Sequence, residues 1–167
     1  MEWNITNEIN DFFFLFSKGG YDTCKLGDFP NLRSLFISMS YNRHKRPIRD
    51  LVAFLSKADN STLGTLEELK VLFRHDVPNP QLEEASEDTL FMLQHRDWEI
   101  MEHTLILSLF PALCKLHLGF RPKDVETFMN EKLVLDLHSS LSRLMPTLYA
   151  MVDLTIEMFD GKFYASL

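Results

Sequence analysis

His95, Glu99 and His103 recur at intervals of four, so on a helix they line one stripe. Two imidazoles and a carboxylate one turn apart are donors that chelate a divalent cation. The stripe runs on into Leu107 and Pro111, which offer no further ligand. The acid also does not adjoin the first histidine, as it does in helical zinc-protease motifs. Trp98, Met101 and Leu105 mark a different face as the buried one, so the stripe reads as a solvated face. No metal ion and no cofactor is expected.

A second arrangement spans two segments. Arg43-His44 lies at an expected helix boundary and His75-Asp76 at a helix end further on. These residues resemble the metal site of helical HD-type phosphohydrolases, which use a histidine, a downstream His-Asp doublet and a later aspartate. The resemblance implies a metal-dependent phosphohydrolase with His44, His75 and Asp76 as ligands, closed by Asp97, Asp124 or Asp136. The chain departs from the family after the doublet, where Val77-Pro78-Asn79-Pro80 replaces the usual small apolar residue, glycine and lysine. A histidine closing a helix beside a turn-forming aspartate accounts for the doublet without catalysis.

The remaining candidates are binding groups. Arg43, Lys45, Arg46 and Arg49 concentrate positive charge in a chain of formal net charge −7. Such a run can grip phosphates, an acidic partner peptide or a nuclear import receptor. Its aromatic company is Tyr41 alone, whereas nucleic-acid modules interleave more aromatic or glycine residues with the charge. Phe13, Phe14 and Phe16 lie in an apolar run too broad for one helix face, so part of it is available to a partner. Glu83, Glu84, Glu87 and Asp88 form an acidic cluster that could complement the basic one in a second copy.

The elements that would position these groups read as helices. Hydrophobic residues are 46% and charged residues 25% of 167, the mix of a globular chain able to bury its own core. Fourteen phenylalanines and eight methionines favour packed helices over sheets. The stretch 104–118 is apolar on every side of a helix, the mark of a buried central rod kinked at Pro111. Further helices are expected over 3–17, 30–41 and from Pro47 with Ile48, Leu51, Val52 and Leu55 inward. Others are expected over 65–75, from Ser86 to Leu118, from Pro122, and over 133–160 with a bend or division at Pro146. Phe29 to Leu35, Phe110 to Leu116 and Met145 to Met151 share an apolar-Pro-x-Leu-x-x-apolar pattern. It reads as three proline-opened or proline-kinked core helices rather than as a repeat array.

The expected fold is therefore an all-α bundle of six to eight helices in one domain over 1–167. Shorter helices occupy 1–76, a loop 77–85 and longer helices 86–160. Two cysteines give no disulfide framework, and no signal peptide or transmembrane span is read. An intracellular, cytoplasmic or nuclear setting follows. The leading function is a non-enzymatic interaction or scaffold module that binds a partner helix or peptide in a groove, or self-associates. Phe13, Phe14 and Phe16 would line that groove and Arg43, Lys45, Arg46 and Arg49 its rim. The rivals are the HD-like phosphohydrolase and a nucleic-acid-binding domain using the basic run.

Overall fold

The computed structural model describes residues 11–15, 31–41, 46–57, 64–75, 96–106, 110–121 and 131–158, with the backbone alone at 11–15, 41, 75 and 131–134. One helix forms where proline and an apolar stripe predict it. Helix α1, Pro47–Leu55, carries proline in its first turn and buries Ile48, Leu51, Phe54 and Leu55. The fixed φ of proline suits a helix start, and its missing N–H would have no partner there in any case.

Elsewhere the helical bundle is overturned. The chain forms a five-stranded sheet, β1 Asp11–Leu15, β2 Ser34–Tyr41, β3 Glu68–His75, β4 Lys115–Arg121 and β5 Asp153–Met158. Every neighbouring pair is parallel, and the spatial order equals the sequence order. Three helices join α1: α2 Asp97–Ile106, α3 Glu131–Leu144 and α4 Pro146–Met151. This is an α/β architecture, and the all-α reading of the chain is wrong.

The physical reason is periodicity. Lys115, His117, Gly119 and Arg121 alternate with Leu116, Leu118 and Phe120. Glu68, Lys70, Leu72 and Arg74 alternate with Leu69, Val71 and Phe73, and Asp153, Thr155 and Glu157 with Leu154, Ile156 and Met158. A period of two places successive side chains on opposite faces of a strand. The expected central rod over 104–118 spans three kinds of structure. Helix α2 ends at Ile106, a turn occupies Pro111 and Ala112, and β4 starts at Lys115. Proline breaks the rod rather than kinking it. The expected helix over 133–160 divides at Pro146, and its end is strand β5.

Register aligns the strands as copies of one unit. Leu35, Leu69, Leu116 and Leu154 stand side by side, as do Ile37, Val71, Leu118 and Ile156. Leu32, Leu66 and Leu113 each lie three residues before the first of these leucines. The apolar-Pro-x-Leu pattern therefore marks equivalent entries to β2 and β4. Leu63-Gly64-Thr65-Leu66 supplies the same entry to β3 with glycine in place of proline. The third copy, at Met145, is out of phase: its Pro146 opens α4 instead.

The entries themselves stack. Glu67 and Glu68 N–H donate to Arg33 O at 2.8 and 2.9 Å, and Cys114 N–H donates to Glu67 O at 2.9 Å. Asp153 N–H then donates to Cys114 O at 2.8 Å. The hydrogen-bonded ladder thus begins before the strands do.

The four helices among the described residues contribute to one apolar core on one face of this sheet. Ile48 and Leu51 of α1, Trp98 and Met101 of α2, Leu137 and Leu141 of α3 and Leu148 of α4 join the leucine rows of β2 to β4 and Ile156 of β5. Trp98 and Phe73 are fully buried and meet edge to face at 5.9 Å, and Phe73 stacks on Phe120 at 5.3 Å. Right-handed crossovers between sequence-adjacent parallel strands place every connecting helix on the same side. Glu102 of α2 ties the layer together, its Oε1 accepting from the Thr147 and Leu148 N–H groups at 2.6 and 2.9 Å. It thereby caps the otherwise unpaired N–H groups of the first turn of α4.

Candidate functional site

With the described helices on one side of the sheet, its second face remains to be accounted for. Alternation sends the polar residues there. Strand register arranges them in four rows: Ser34, Glu68, Lys115 and Asp153; Phe36, Lys70, His117 and Thr155; Ser38, Leu72, Gly119 and Glu157; Ser40, Arg74 and Arg121. Phe36 and Leu72 are buried but stand outside the helix-covered core cluster. Lys115, Arg121, Asp153 and Glu157 are exposed.

Glu68 is the hub of the first two rows. Ser34 Oγ donates to its Oε2 at 2.9 Å, and Lys70 Nζ stands 3.1 Å from the same oxygen. His117 Nε2 lies 3.0 Å from Oε1 yet makes no hydrogen bond, so the two meet off the N–H axis in a charge contact. Burial pushes the Glu68 carboxyl up. The hydrogen bonds from Lys70 and Ser34 and the charges of Lys70 and His117 outweigh it, and the net displacement is below the ordinary glutamate value. Three side chains from three strands therefore hold one ionised carboxylate in place.

Among the described residues, three buried side-chain polar atoms have no hydrogen-bond partner: Ser38 Oγ, Arg74 Nε and His117 Nε2. All three belong to this face, on β2, β3 and β4 in turn. Unpaired buried polar groups are costly and scarce in folded proteins. Ser38, Phe36, Leu72 and Gly119 are themselves buried, so the middle of this face is covered within the chain, and its solvent-facing side chains are Lys115, Arg121, Asp153 and Glu157.

The residues singled out from the sequence fall elsewhere. Phe13 and Phe14 lie on the edge strand β1, paired in register with Phe36 and Ile37, and not on a helix. Phe16, Arg43 and Lys45 lie outside the described residues, as do His44, Asp76 and His95. Arg46 precedes α1 and Arg49 stands in its first turn, both exposed. Phe13 and Phe14 thus stand on a strand, where a helical groove wall was expected. His75 ends strand β3, not the helix expected over 65–75. Glu99 and His103 are exposed on α2. Among the described residues no three histidine, cysteine, aspartate or glutamate side chains gather as a metal-binding set. No described helix is long and apolar enough to cross a membrane.

Sequence reasoning missed Ser34, Glu68, Lys70, Arg74, His117 and Arg121. Their legible mark is the strict alternation within each strand, which a helical reading spreads around a cylinder. The chain matches no family model, no curated protein and no solved structure.

Proposed function

We propose that this protein is a non-enzymatic interaction module, a β–α solenoid that binds another protein on the polar face of its sheet. The observation that carries this reading is the charged face opposite the described helices, where Lys115, Arg121, Asp153 and Glu157 are exposed and Ser38 Oγ and Arg74 Nε lack a hydrogen-bond partner. The architecture supports it. Parallel strands in sequence order, with β2, β3 and β4 each entered through Leu-x-x-Leu-x-apolar and stacked on its neighbour, follow the logic of leucine-rich repeats. Strand starts at Ser34, Glu68, Lys115 and Asp153 make the units longer and less even than the roughly 20–29 residues of a standard repeat. Solenoids of this kind present one extended surface for binding, with specificity set by side chains at alternate strand positions. A reducing intracellular setting, cytoplasmic or nuclear, fits the free and exposed Cys114.

The test is site-specific photo-cross-linking in cells of origin. A cross-linking residue replaces Lys115 on the polar face or Glu99 on the exposed side of α2. The proposal expects a discrete adduct with a single protein from position 115 and none of the same mass from position 99. Adducts of equal pattern from both positions, or none from 115, would sink it.

A further inference from the structure

Arg74 and Arg121 are the part of the polar face that the protein itself leaves uncompensated. They are register partners at the C-terminal ends of β3 and β4, on adjacent strands about 4.8 Å apart. Like charges set directly opposite one another destabilise a sheet. Among the described residues neither arginine forms an ion pair, whereas Lys70 two positions earlier on β3 is paired to Glu68. Arg74 Nε is buried with no hydrogen-bond partner, while Arg121 is exposed. One guanidinium is therefore partly desolvated, and a second stands beside it within reach of solvent. On β3 and β4 this face carries Lys70, Arg74, Lys115 and Arg121 against the single acid Glu68, in a chain of net charge −7.

Two adjacent guanidinium forks match a planar anion that can accept several N–H bonds at once. Resting on the reading that this face binds a protein, we infer that Arg74 and Arg121 together receive a carboxylate from an acidic segment of that partner. The position of the pair favours a protein over a nucleic acid. A long polyphosphate backbone would run onto Asp153 and Glu157 of the neighbouring strand β5. A short acidic side chain engages the arginine pair without crossing β5. Carboxylate binding also relieves the repulsion between the two cations.

The test is fluorescence anisotropy on the full chain with three labelled probes: an oligoglutamate peptide, an oligothymidylate of equal charge and an oligolysine peptide. At low ionic strength oligoglutamate should bind best, and its binding should weaken as salt rises. Arg74→Gln and Arg121→Gln should each weaken it about tenfold, close to 1.4 kcal/mol. Arg143→Gln, at an exposed position on α3, should leave it unchanged. Arg74→Lys keeps the charge without the fork and should recover only part of the binding. Should Arg74→Gln lose its circular dichroism signal, the exposed Arg121→Gln carries the test alone. Tighter binding of oligothymidylate, an equal loss in Arg143→Gln, or no binding of oligoglutamate at low salt overturns the inference. A cross-link from position 115 that survives both high salt and Arg121→Gln overturns it too, while leaving the interaction reading intact. Absence of that cross-link overturns the interaction reading itself, so the two failures are separate.

Discussion

The two faces of the sheet are made from the same strands and obey opposite rules. On the helix side, Leu35, Leu69 and Leu116 lie in one row and Ile37, Val71 and Leu118 in the next, each nearly free of solvent. Neighbours in a row are alike, so every addition extends the same apolar surface. On the other side most neighbours are unlike, as with Ser34 beside Glu68, Phe36 beside Lys70 and Lys70 beside His117, the like-charged Arg74 and Arg121 being an exception. Some of these contacts are satisfied and some are not, and the three unpaired buried atoms all fall here. The difference separates what folds the protein from what the folded protein offers. Stability resides in the repeated leucine rows; the irregular polar rows can vary without disturbing the core, and it is to them that we assign the proposed recognition.

The sharpest way to break this comparison is to damage the apolar side. Trp98 is fully buried against Phe73, so Trp98→Ala should cost about 3–5 kcal/mol in urea unfolding. A loss below about 1 kcal/mol would mean that the helix layer does not close the core as described. Adjacent positions on β4 then test the alternation itself. Leu118→Ala should cost about 2–5 kcal/mol, while His117→Ala next to it should stay within about 1 kcal/mol of the parent. Comparable losses at both positions would contradict a strand with two unlike faces.

Smaller effects sharpen the picture. Glu102→Ala removes the acceptor for two N–H groups at the start of α4 and should cost about 1 kcal/mol. On the polar face Arg74→Gln should raise stability by a few tenths of a kcal/mol to about 1 kcal/mol, since it relieves a like-charge pair. A clear loss of stability there would show that the arginine has a structural partner. Glu68 gives the gentlest test, in pH dependence. Its folded carboxyl titrates below the ordinary value, so near that range the unfolded chain binds more protons than the folded one. Its contribution is therefore full above the unfolded value and fades as the pH falls through the lower folded value. Glu68→Gln should flatten that part of the acid-side stability curve. An unchanged curve would mean that the Ser34, Lys70 and His117 contacts do not hold the carboxylate in solution.

Some of this was legible in the residues. Pro47 and the stripe Ile48, Leu51, Leu55 predict α1, and Pro146 predicts the division that separates α3 from α4. The shared entry pattern at Phe29 and Phe110 was visible as well, but it read as proline-marked helices. The sheet was hidden by composition. Leucine, phenylalanine and methionine make up most of its inner face, and the β-branched residues that usually advertise strands are confined there to Ile37, Val71 and Ile156. A run such as 104–118 then places apolar residues at both helical and alternating spacings, and short apolar runs do not distinguish the two. The proline at 111 was the deciding clue, because a helix that loses an N–H and meets the proline ring does not continue through a core. The polar face was illegible for a different reason. Ser34, Glu68 and His117 are far apart along the chain, and no local pattern says that they meet.

By itself the sequence determined the local alternatives. It set where prolines start helices, which residues alternate, and that the chain carries enough apolar side chains to bury a core without disulfides. Tertiary structure decided between strand and helix, because a lone strand with one apolar face gains little until a matching strand pairs with it. It also decided the register. Sliding one strand by a single residue would turn Leu35, Leu69 or Leu116 out of the core, so burial of those leucines fixes the pairing. That same registry, set on the apolar side, is what brings Ser34, Lys70 and His117 onto Glu68 and stands Arg74 beside Arg121.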